Sequence, residues 1–154
     1  MTTIRPATPA DVETVARWAE AMALETEGKA LDPATVRAGI AAGLADAAKA
    51  RYFVAERDGR AVGTLMLTTE WSDWRDGWWW WIQSVYVAPE ARRLGVFRAL
   101  YAHVEAAARA TPGVCGLRLY VENDNARAQA TYAALGMVDA RYRVFEAATR
   151  ASPA

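Results

Sequence analysis

The sequence predicts an α/β domain of about six strands and four helices. Two observations carry this. Short runs in which apolar and polar residues alternate interleave with longer runs in which apolar residues recur every three or four positions. Together they give the order β-α-α-β-β-β-α-β-α-β, a layered arrangement of sheet and helices. In addition, residues 85–100 pass from a β-branched strand through a short basic loop with one glycine into a helix.

The elements follow in order. Thr3 to Arg5 is a short first strand. Thr8-Pro9-x-Asp11 opens a helix, with a Thr cap, Pro in the first turn and an acidic residue three positions on. Val12, Val15, Ala19, Met22 and Ala23 share one face of it, and Gly28 ends it. Asp32-Pro33 opens a second helix with the stripe Val36, Ile40 and Leu44. Tyr52–Glu56 and Ala61–Leu67 flank Asp58-Gly59, a strong two-residue hairpin turn. A tryptophan-rich strand runs from about Gly77 to Val87, where Pro89 stops it. Gly95 to Ala110 is helical. Leu117, Leu119 and Val121 alternate as a strand, and Asn123-Asp124-Asn125 supplies turn and cap chemistry for a helix over Ala126–Leu135 that Gly136 ends. Ala140 to Ala147 alternates again and suits a closing strand.

The segment after Val87 is built to hold a phosphate. The N–H groups of a first helical turn point at an anion, the helix dipole favours it, and glycine lets the backbone approach closely. Arg92-x-x-Gly95-x-Phe97 resembles motif A of the GCN5-related N-acetyltransferase (GNAT) superfamily, Arg/Gln-x-x-Gly-x-Gly/Ala, with Phe97 replacing the second small residue. Asn125-x-x-Ala128-x-x-x-Tyr132-x-x-Leu-Gly-Met is similar to motif B of the same superfamily. The resemblance covers about residues 2 to 147. It implies the GNAT fold, a mixed twisted sheet of about six to seven strands flanked by about four helices.

The resemblance also implies a site. Acetyl-CoA would be the co-substrate and a primary amine the acceptor, with direct transfer between them. The pantetheine arm would lie along Val85, Tyr86 and Val87. The pyrophosphate would meet Arg92, Arg93, Leu94, Gly95, Val96, Phe97 and Arg98, with the Phe97 ring turned towards Tyr101. Asn125, Ala128 and Tyr132 would complete the cofactor site. A Val85 N–H would hold the oxyanion, and Tyr132 would protonate the departing thiolate. Relatives carry a glutamate on one of two strands, but here those strands offer Gln83 and Tyr120. Glu25 is the leading alternative base, with Glu27, Glu70, Asp73 and Asp76 behind it. A water relay ending on Gln83, Ser84 or Tyr120 is the other route.

Six of the seven tryptophans fall within residues 70–81. Alternation puts Trp79 and Trp81 on one face of the strand and Trp78 and Trp80 on the other. One reading buries both faces in the core or a subunit contact. The other makes an aromatic wall for an organic cation, using Glu25, Glu70, Trp71, Trp74, Trp81, Gln83 and Tyr120.

Composition bounds the rest. With 154 residues and 53% hydrophobic content the chain can bury one core, so residues 1–150 read as a single domain and 151–154 as a disordered tail. Eighteen basic and eighteen acidic residues balance, so neither nucleic acid nor a membrane surface is an expected partner. The start lacks a signal-peptide pattern, no apolar run reaches membrane-spanning length, and the lone Cys115 suits a reducing cytoplasm. Cys115 reads as a small core residue. His103, the one histidine, reads as helix surface, and no metal site is expected. A homodimer is compatible with these features. Two rival functions are a non-catalytic acyl-CoA-binding module and a protein-interaction domain that uses the tryptophan cluster.

Overall fold

The computed structural model describes residues 1–151, so the tail expected at 151–154 lies, beyond Ala151, outside the described residues. The described residues divide into two compact units, one over Met1–Arg118 and one beginning at Leu119.

The first unit is a five-stranded sheet in chain order: β1 (Thr2–Pro6), β2 (Arg51–Arg57), β3 (Arg60–Ser72), β4 (Gly77–Val87) and β5 (Val114–Arg118). The first four strands pair antiparallel, and β5 joins β4 in parallel. A parallel neighbour needs a crossover, which α3 (Val96–Ala110) supplies. Asp58 and Gly59, with φ of 51° and 74°, make the mirror-image turn that matches strand twist.

Adjacent residues of β2 face opposite layers. Tyr52 packs with Val15 and Ala16 of α1 (Val12–Glu27) and Ile40 of α2 (Pro33–Ala45). Phe53 meets His103 of α3 edge-on, ring centroids 5.2 Å apart. The sheet is therefore filled between α1 and α2 on one side and α3 on the other. Exposed His103 fits its expected place on the helix surface. Gly28, in the left-handed conformation, ends α1.

The first helical turn holds a buried carboxylate. Asp11 accepts from Arg5 through both oxygens, at 2.8 and 2.9 Å, and from the Thr8 N–H at 2.7 Å. The Arg5 guanidinium, more than any other group, holds the Asp11 carboxyl below its ordinary value of 3.8. A lowered acid stabilises the fold above its unfolded pKa, and that contribution disappears as pH falls through the folded one. Asp11→Asn is therefore expected to cost about 1–3 kcal/mol at pH 7. In urea unfolding, its difference from wild type should shrink below about pH 4.

Two strands differ from expectation. The strand read at Leu117–Val121 lies at Val114–Arg118 instead. Its register follows Trp79: a Cβ on Gly116 would stand 2.6 Å from Trp79 Cζ3, so only glycine fits there. Cys115 is exposed on this outermost strand rather than buried.

The second unit holds α4 (Ala126–Ala134), capped by Asn125, whose Oδ1 accepts from the Ala128 N–H at 3.0 Å. Gly136, at φ 92°, follows its end. The closing strand expected over 140–147 is absent; the segment alternates in residue type but makes no ladder, and its residues are exposed. Alternation favours a strand only where a neighbouring strand accepts it. Among the described residues the sheet thus has five strands, not six or seven.

Candidate active site

β4 carries a bulge towards its C-terminal end. Thr64 pairs with Tyr86 and Met66 with Gln83, so Ser84 and Val85 together face the single residue Leu65. Ser84 takes the bend at φ 50°, an uncommon conformation for a residue with a side chain. The bulge switches the alternation: Trp79, Trp81 and Gln83 share a face with Tyr86, not with Val85. β5 pairs with β4 only from Trp78 to Trp81. The half of β4 that carries the bulge therefore extends past the end of β5.

β4 leads through a short 3-10 turn at Pro89–Ala91 to the basic loop. Arg93 and Gly95 both have positive φ, 67° and 77°. The first backbone bond of α3 runs from Ala99 N–H to Gly95 O at 3.0 Å, so the preceding amides stand at an open helix end. Nothing lies within 4 Å of where a Gly95 Cβ would be. Phe97 does not fill this space: its ring lies along α3 towards Tyr101, centroids 6.2 Å apart. The geometry fits an anion such as a pyrophosphate.

Arg92 is turned away from the helix end. Its Nε donates to Val87 O and its Nη2 to Glu25 Oε2, both at 3.0 Å. Tyr86, buried, donates its hydroxyl to Glu25 Oε1 at 2.9 Å. Tyr86 first and Arg92 second hold the Glu25 carboxyl below the usual range, while burial pushes the Tyr86 phenol up. Beside the bulge, Ser84, Tyr86, Thr64 and Tyr52 line a cavity of about 30 Å³ with Val15, Ala19, Met22 and Ile40. That is room for about one water-sized group.

The tryptophan segment sorts by face. Glu70 Oε1 accepts from Trp81 Nε1 at 2.8 Å and from Arg118 Nη1 at 2.9 Å, and Gln83 donates to Thr68. The indole of Trp81, then Arg118, keeps the Glu70 carboxyl low. Arg118 also lies 3.9 Å over Trp79, with Arg75 at 4.9 Å, and the buried Trp79 Nε1 has no hydrogen-bond partner. On the other face Trp80 is buried under Arg51, and Trp71 meets Trp78 edge-on at 5.0 Å. Trp74 stands in solvent, 85% exposed, at the hairpin turn. Of the residues expected around the acceptor, Glu70, Trp81 and Gln83 share a face. Trp71 lies on the opposite one, Trp74 is at the turn, and Glu25 is at the end of α1. Sequence reasoning missed Arg118 and the bulge at Ser84.

In the second unit Asn125 spends its carbonyl oxygen on the cap of α4, Ala128 supplies the N–H, and burial raises the Tyr132 phenol above its ordinary 10. Tyr120 is largely exposed. Among the described residues no cluster of histidine, cysteine and carboxylates could hold a metal, and no helix is long and apolar enough to cross a membrane.

The sequence model of the Acetyltransferase (GNAT) family matches residues 13–137. No curated protein matches the chain. Among solved structures, a possible acetyltransferase from Clostridium difficile 630 is 39% identical with a TM-score of 0.91, covering 98% of this chain and 99% of that one. A GCN5-related N-acetyltransferase from Ralstonia eutropha JMP134 is 24% identical with a TM-score of 0.75, covering 96% and 99%. A predicted acetyltransferase from Clostridium acetobutylicum, solved with acetyl-CoA, is 14% identical with a TM-score of 0.76, covering 96% of each chain. The last two likenesses are of fold.

Proposed function

The chain belongs to the GNAT acetyltransferase family, and on that premise we propose that it transfers an acetyl group from acetyl-CoA directly to a primary amine. One observation carries the reading: a bulged β4, free of β5 beyond Trp81, runs into a basic loop whose positive-φ residues open onto the start of α3. In this reading the amides of Gly95 to Arg98, with Arg93, hold the pyrophosphate, and the Val85–Val87 backbone holds the pantetheine arm.

The amine nitrogen attacks the thioester carbonyl. The Val85 N–H, displaced by the bulge, serves the oxyanion, a contribution of about 3–4 kcal/mol for such a donor. The new C–N bond replaces the C–S bond; Tyr132, assigned by its motif position, gives its proton to the thiolate, and its phenolate is reprotonated from solvent water. Glu25 and Glu70 are both held low, which makes them weak bases at neutral pH. The ammonium proton is therefore lost to solvent water. The acceptor is an amine on an apolar or aromatic body, which the shared face of Trp81 and Gln83 suits.

Calorimetric titration tests this. Acetyl-CoA should bind with a Kd on the order of micromolar, ATP should not, and a panel of primary amines should release free thiol. Absence of binding at millimolar acetyl-CoA would overturn the reading. Binding without thiol release for any amine would favour a non-catalytic module.

A further inference from the structure

Glu25 sits in the last turn of α1, and its two oxygens reach two other elements. Oε1 accepts from the Tyr86 hydroxyl on β4, and Oε2 accepts from Arg92, where the phosphate loop begins. Arg92 is held again at its Nε by the Val87 carbonyl, and its guanidinium carbon lies 5.3 Å from the centre of the Tyr86 ring. Trp18, two turns earlier on α1, packs on the same ring at 6.1 Å. An isolated surface ion pair stabilises little. Here the pair is anchored at both ends: the carboxylate by a buried phenol, the guanidinium by a strand-end carbonyl.

We propose that Glu25 is a positioning residue rather than a proton acceptor: it clamps Arg92 to the end of β4 and so presets the loop that receives the acyl-CoA pyrophosphate. The clamp rests on the acetyl-CoA reading. It fixes the residue from which the loop enters its two positive-φ positions, Arg93 and Gly95. The loop is then ordered before the ligand arrives, and binding does not bear the entropy of ordering it. Arg92 acts through its neighbours, so the phosphates are left to Arg93 and the amides of the helix start.

The test compares acetyl-CoA affinity in wild type, Glu25→Gln, Arg92→Ala and the double variant. Glu25→Gln should weaken binding about five- to tenfold. In the Arg92→Ala background the same change should matter less than about twofold, because the partner is already gone. The acid limb of the pH–rate profile should stay where wild type has it. Amide exchange at residues 92–96 of the ligand-free protein should quicken about tenfold in Glu25→Gln. Additive effects on affinity, or unaltered exchange, would overturn the clamp. So would loss of the acid limb at wild-type affinity, which would make Glu25 the base. A wild type that fails to bind acetyl-CoA would overturn the underlying reading instead. The exchange measurement tells the two failures apart because it uses no ligand.

Discussion

Tyr132→Phe is expected to lower kcat for acetyl transfer about 10²-fold, the contribution of a well-placed general acid. The Kd for acetyl-CoA should stay within about twofold of wild type, because the ring that packs is kept and only the hydroxyl is lost. In the proposed reaction the thiolate that leaves needs a proton, and Tyr132 is the residue at the motif position. Burial raises its phenol above the ordinary 10. The sign matters: a raised pKa keeps the acid form protonated to higher pH, so the fall in the wild-type rate that comes from losing the Tyr132 proton should begin only above pH 10. The residual rate of the variant should lack that fall. Thiol release at saturating substrates, followed from pH 6 upward, checks both. A variant with the wild-type kcat would remove Tyr132 from the chemistry.

What could be read in the sequence was what local chemistry decides. Asp58-Gly59 allows one turn type. Arg92, Gly95 and the amphipathic run after it specify a loop and a helix start. The bulge was not legible, because Ser84 has no residue-type signal for a positive φ; only pairing with β3 reveals it. Nor was the clamp, since Glu25 and Arg92 are 67 residues apart, or the Glu70–Arg118 pair, 48 apart. The strand around Gly116 was misplaced because alternation is blind to register, and the contact that sets it is with Trp79. The strand expected over 140–147 failed for a related reason: a two-residue period describes a face, and a strand also needs a ladder.

Leu100→Ala is expected to be among the most destabilising single changes, at about 3–4 kcal/mol. Leu100 is fully buried on α3 between Val96 and Val104, and this helix touches every strand of the sheet. The sheet has come close to receive it: a Cβ on Gly63 would meet Val96 Cγ1 at 3.0 Å and Leu100 Cδ1 at 3.7 Å. Truncation leaves a gap that rigid strands on one side and a helix backbone on the other cannot close, so the cavity cost adds to the lost transfer energy. For a chain of this length the melting temperature should fall roughly 10 °C. Arg109→Ala, on the solvent side of the same helix, removes only an exposed pair with Glu105 and should shift melting by less than about 2 °C. Because α3 begins at the loop proposed to hold the pyrophosphate, the Leu100 variant also asks whether that loop depends on the helix being seated. Acetyl-CoA should then restore part of the lost melting temperature, since a ligand that binds the native state alone stabilises it by mass action. A melting temperature within about 3 °C of wild type would mean that the core closes over the gap and that α3 is not the element on which the sheet rests.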